Sequence, residues 1–163
     1  MRRPAALLAL IALPLLLSGC GLRPMYAGGA SGAAAQALAG VQVEPIEGRA
    51  GWLLENALKD RLSAMGQGAP RYSLRVRLDD RIEGLGVRAD DSVTRERRTL
   101  RARFQLVEIS SDEMLVDETA SWDAGIDVAS SEYATVAAEN SALERLTKIV
   151  ADRVLARVAA AQR

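Results

Sequence analysis

The chain reads as an α+β domain: a βαβββα two-layer sandwich with two helices packed on one face of a four-stranded mixed sheet. Three observations predict it. Leu54, Ala57, Leu58, Leu62 and Met65 recur at helical intervals. Residues 72–78 and 100–106 alternate apolar with polar side chains, the pattern of strands with one core face and one wet face. The last third then returns to a helical stripe through Val136, Leu143, Leu146, Val150, Val154 and Val158. Each apolar stripe needs the apolar face of the sheet, so both helices are expected on the same side.

The elements follow in order. Val41 and Val43 alternate with Gln42 and Glu44, so a short strand is expected over 41–46, with Pro45 at its end where a lost donor is tolerated. The spacing predicts a helix over 50–65, stopped by Gly66 and Gly68. In the next strand Tyr72, Leu74, Val76 and Leu78 point to the core while Arg71, Ser73, Arg75, Arg77 and Asp79 point away. Leu100, Ala102, Phe104 and Leu106 turn inward on its neighbour, with Arg97, Thr99, Arg101, Arg103 and Gln105 outward. Gly84, Gly86 and Asp90-Asp91 supply turn chemistry between them, and the hairpin can continue through Ile82 and Val87. Ser110-Ser111-Asp112-Glu113 marks the next turn, and 114–122 a fourth, less regular strand. Ser130 and Ser131 offer an N-cap, Glu132 an acid in the first turn, and the helix is expected over 131–160.

Ahead of this domain lies a different kind of sequence. Arg2 and Arg3 precede an apolar run over 7–17, shorter than the roughly 20 residues that span a bilayer. The run ends in Leu17-Ser18-Gly19-Cys20, which has all parts of a bacterial lipobox and holds the only cysteine of the chain. The expected organisation is a signal peptide over 1–19, a lipidated Gly/Ala-rich tether over 20–40 and the domain over 41–163. Cys20 would carry a thioether-linked diacylglycerol and an N-acyl chain, enough for stable membrane attachment. Gly21, rather than an acid that retains lipoproteins at the inner membrane, favours the periplasmic face of the outer membrane.

Composition narrows the chemistry. Removing Arg2 and Arg3 from the 21 basic residues leaves 19 against 21 acids, a net of −2, so no nucleic-acid partner is indicated. The charge is uneven: 71–103 holds ten arginines against six acids, and 108–163 eleven acids against five basic residues. With no histidine and one thiol committed to lipid, there is no set of zinc ligands and no histidine-based triad. Neither a cofactor nor a metal is expected. A carboxylate pair such as Glu108 and Asp117 could serve a cell-wall hydrolase, but such sites need a cleft with flanking aromatics, and the chain has one Phe, three Tyr and two Trp. No enzymatic activity is expected.

The lipobox, Gly21-Leu22-Arg23-Pro24-Met25-Tyr26, the βαβββα order, and Ser131-Glu132-Tyr133-Ala134-Thr135-Val136-Ala137-Ala138-Glu139 opening the last helix together resemble the alphaproteobacterial lipopolysaccharide-assembly lipoproteins of the LptE family. Glu113-Met114, where relatives often have a glycine turn, and Trp122, where tyrosine is more usual, depart from it. The resemblance implies a partner, the outer-membrane β-barrel LptD, partly plugged from the periplasmic side, and a role in delivering lipopolysaccharide to the outer leaflet. An auxiliary lipoprotein of another envelope lipid-transport system is the alternative.

Arg75, Arg77, Arg97, Arg101 and Arg103 would share one sheet face, where like charges destabilise unless neutralised. Lipopolysaccharide phosphates or acids of the barrel wall could supply the counter-charge through bidentate guanidinium contacts; so could Asp79, Asp117 and Asp123 of the chain itself. Trp122 and Tyr133 are candidates for partner contact, since aromatics are enriched in interface cores, or for stapling a loop to the core.

Overall fold

The computed structural model describes residues 32–66, 68–87 and 93–162. The expected signal peptide, Cys20 and most of the expected tether lie outside the described residues. The elements are α1 (Ala33–Leu38), β1 (Val41–Val43), α2 (Gly48–Ala64), β2 (Tyr72–Val87), β3 (Val93–Glu108), β4 (Met114–Asp127) and α3 (Glu132–Ala161). One mixed sheet has the order β1-β2-β3-β4, with β1 parallel to β2 and the other pairs antiparallel. The expected α+β class and single-sided helix layer are present, with α2 and α3 against the inner face.

Several bounds differ from the sequence reading, each for a local reason. Residues 33–38, read as tether, form α1, and Ala35 and Leu38 are buried. β1 is three residues rather than six, because after Glu44 donates to Leu74 O the chain turns away at Pro45. The backbone N–H of Ile46 then donates to Glu55 Oε2 at 3.1 Å, and α2 starts at Gly48. Gly51 sits where a Cβ would lie 2.6 Å from the Ile46 carbonyl oxygen, so this close approach of helix and turn requires glycine. Gly66, at φ +103°, ends α2 as its spacing predicted.

The long hairpin runs farther than the alternation alone defined, with register continuous from Tyr72↔Glu108 to Val87↔Val93. β4 likewise continues past Trp122 to Asp127. A bulge at Leu106/Val107 pairs Val107 with Met114 and Leu106 with Val116, so Leu115 is the extra residue, and Asp112 turns the chain at φ 54°. At the start of α3, Ser131 occupies the N-cap position, but its side chain makes no cap bond; its carbonyl accepts from Ala134 and Thr135 instead. Thr135 Oγ1 accepts from the Ala129 N–H, holding the preceding loop.

α2 and α3 run in the same direction. Arg49 reaches Asn140 at one end, while Arg61 at the other bonds Asp152 and the Lys148 carbonyl. Leu54 and Leu58 from α2, Leu146, Val150 and Val154 from α3, and Leu74, Leu100, Phe104 and Leu106 from the sheet close a core in which each is fully buried. No helix among the described residues is long and apolar enough to cross a membrane.

Candidate functional site

The outer sheet face is the surface that no helix covers. Register places Arg77 directly opposite Arg103, Asp79 opposite Arg101, and Glu83 opposite Arg97, so the five arginines named from the sequence lie on one face as parity requires. Most are neutralised within the fold. Arg75 donates to Glu44 at 2.9 Å, Arg103 makes a two-pronged contact to Asp117 at 2.9 and 2.7 Å, and Arg97 lies 4.0 Å from Asp123. Arg95 pairs with Asp127, and Arg81 takes the carboxylate of Asp79, so Asp79 does not serve Arg101. Among the described residues this leaves Arg77 and Arg101, both exposed, without an ion pair.

Arg77 opens into a concavity of about 470 Å³ lined by Glu44, Arg75, Arg77, Arg103 and Gln105. Glu44 and Gln105 were not foreseen as parts of a site. Glu44 could not be placed without the parallel register of β1, which brings it beside Ser73 and Arg75.

The carboxylates confirm how tightly the face is wired. Hydrogen bonds from Arg103 first, and from Gln105 next, pull the Asp117 carboxyl down to about 2, and Ser73 and Arg75 hold Glu44 below the ordinary carboxylate range. A group held ionised in this way is a poor general acid. Because the folded Asp117 titrates below its unfolded value of roughly 3.9, its contribution to stability is complete above that value. It fades as pH falls toward 2. Asp117→Asn is therefore expected to lower stability at pH 7 and flatten the loss between about pH 4 and pH 2, measured by urea unfolding across that range.

The two aromatics are placed differently. Trp122 is on the inner side of β4, 42% exposed, with the Arg153 guanidinium 3.8 Å from its ring centroid. Arg153 and Arg157 of α3 also donate to the carbonyls of Ser121 and Thr119, covering part of the outer edge of β4. Tyr133 is 90% exposed in the first turn of α3 and staples no loop to the core. Both lie away from the arginine face.

Sequence reading missed Arg98. It is 9% exposed on the inner face, bonded to both oxygens of Asp80 at 2.8 and 2.6 Å and to the Glu139 carbonyl at 2.9 Å. Its parity with Leu100 was the available signal. Glu96, the next inward position, has a buried Oε2 without a hydrogen-bond partner, and burial first, then Glu139, pushes its carboxyl up. No group of three or more metal-ligating side chains that could hold a metal occurs among the described residues.

With this geometry in place, comparison with known proteins is decisive on kinship. The model of the LptE lipopolysaccharide-assembly family matches residues 38–158. The chain belongs to the LptE family. A Caulobacter crescentus protein assigned as a lipoprotein shares the fold at a TM-score of 0.64 and 20% identity, over 79% of this chain and 94% of that one. The minor lipoprotein of Acinetobacter baumannii superposes at 0.61 with 15% identity, over 75% and 92%. Rare lipoprotein B of Shewanella oneidensis superposes at 0.56 with 12% identity, over 74% and 92%. No curated protein sequence matches the chain. At these identities the solved structures establish a shared LptE-type fold, and the family model establishes the membership.

Proposed function

We propose that this LptE-family chain is a lipoprotein acylated at Cys20 and held at the periplasmic face of the outer membrane. There it pairs with an LptD-like β-barrel, partly plugs its lumen and assists lipopolysaccharide assembly in the outer leaflet. The role is non-enzymatic. The observation that carries the proposal beyond family membership is the helix-free sheet face on which Arg77 and Arg101 have no counter-ion beside the Arg75/Arg103 concavity. Lipopolysaccharide phosphates, or acids of the barrel wall, complete that face. Guanidinium groups favour such planar, bidentate acceptors.

The test is a detergent pull-down of the C-terminally tagged chain from outer membranes, with copurifying protein and bound lipopolysaccharide both quantified. A stoichiometric large β-barrel supports the reading. Recovery with an inner-membrane transporter, or alone, overturns it and favours an auxiliary role in another lipid-transport system. Arg77→Glu with Arg101→Glu is expected to reduce bound lipopolysaccharide about ten-fold, the equivalent of one lost charge-assisted contact. Neither arginine supports a partner within the fold, so thermal unfolding is expected to stay unchanged; undiminished lipopolysaccharide would remove these two residues from the site.

A further inference from the structure

Beside β1 lies a groove of about 850 Å³ whose lining combines the apolar Val43, Pro45 and Leu62 with the charged Glu44, Lys59 and Arg75. Among the described residues β1 is bonded only on its β2 side: the Tyr72 N–H donates to Gly40 O, and the Glu44 N–H to Leu74 O, both at 3.0 Å. Alternation along a parallel ladder then turns the N–H and C=O of Val41 and Val43 toward the groove. Apolar side chains next to open backbone donors and acceptors, with charged groups in the same lining, suit an extended segment of mixed apolar and polar side chains laid along a sheet edge.

We propose that the occupant is the chain's own segment 22–26, which supplies Leu22, Met25 and Tyr26. Two features of the chain select it. The first is reach: the last residue of α1, Leu38, is part of the groove wall, and α1 is six residues, about 9 Å long. The six steps from Tyr26 to Gly32 span up to about 20 Å, enough to return along the helix. The second is composition: residues 27–32, ahead of α1, are entirely Gly, Ala and Ser, so the apolar and aromatic side chains are concentrated just before a stretch without large side chains. Pro24 lacks an N–H, which an edge segment tolerates. Tethering makes the encounter intramolecular, at an effective concentration in the millimolar range.

Docking removes most of the slack between Cys20 and the domain. Leu22 is two residues from Cys20, so the β1 edge is held next to the membrane surface instead of trailing on a free tether. That consequence rests on acylation of Cys20; the docking itself does not.

The experiment uses the mature chain purified in detergent from membranes. Cys20 is the only native cysteine, so Met25→Cys with Leu62→Cys introduces one reporting pair, and Met25→Cys with the exposed Ser141→Cys is the control. Oxidation is expected to close an intramolecular disulfide in the first pair and not the second. In a Leu22→Ser, Met25→Ser, Tyr26→Ser chain the Val41 and Val43 amides are expected to exchange at least ten times faster than in the parent. Crosslinking no higher than the control, or equal exchange in both chains, overturns the proposal. A disulfide-linked dimer also overturns it by assigning the groove to a second copy. The mass of the N-terminal peptide reports acylation separately, so failure of the lipid anchor is not confused with failure of docking.

Discussion

Phe104→Ala is expected to destabilise the domain by about 3–5 kcal/mol, the range for deleting a fully buried aromatic. Phe104 is the only phenylalanine of the chain and the largest fully buried side chain. It sits on β3, an interior strand, between Val76 of β2 and Glu118 of β4. Trp52, Trp122 and Tyr133 are exposed and Tyr72 is only partly buried against the core, so among the described residues the fully buried packing around the ring is Leu, Val and Ala. Side chains of that size, fixed on a sheet and two helices, collapse only partly into the space a ring leaves. Phe104→Leu should lose about 1–1.5 kcal/mol, since volume is nearly kept. Urea unfolding at constant slope reads both; an alanine variant within about 1 kcal/mol of the parent would mean that the core rearranges around the site.

The second large effect is expected at Arg98. Arg98→Met keeps the aliphatic stem but removes the donors to Asp80 and to the Glu139 carbonyl. A buried pair broken from one side leaves the other charge uncompensated; because the Asp80 side chain retains 23% exposure, the expected loss is about 2–3 kcal/mol, below the full buried-pair range. Two further carboxylates are close by. Glu96 is already pushed up by burial first and then by Glu139, and Glu139, whose charge acts on Arg98, loses that cation in the variant. An acid raised in the folded state favours folding when protonated, so the deficit of Arg98→Met should shrink as pH falls from 7 toward the carboxylate range. Adding Asp80→Asn to Arg98→Met should recover part of the loss, with a coupling of about 0.5–3 kcal/mol. A strictly additive double variant, or a deficit independent of pH, would show that Arg98 acts only through its stem.

Both sites illustrate where sequence reasoning stops. Phe104 was legible because period-two alternation is a local property, and the inward parity of 100–106 needs no knowledge of neighbours. The same parity puts Arg98 inward, yet a charge at a core position looks like the end of a pattern until a partner is known, and Asp80 is 18 residues away. The arginine face behaved in the same way. Its five members followed from parity, but which of them are neutralised depended on register: one residue of slip between β3 and β4 would take Asp117 off the face that carries Arg103.

The sequence by itself determined the α+β class, the inward and outward sets of the long strands, the stop of α2 at Gly66 and the gathering of arginines on one sheet face. All of these follow from spacing and from the conformational limits of single residues. Only the tertiary structure decided that residues 33–38 fold back as α1, that the sheet reaches Asp127, and that Arg98 belongs to the interior. It also decided that Glu44 and Asp117 consume Arg75 and Arg103 while Arg77 and Arg101 stay open, because ion pairing is settled by distances between strands, which no run of residues along one strand encodes.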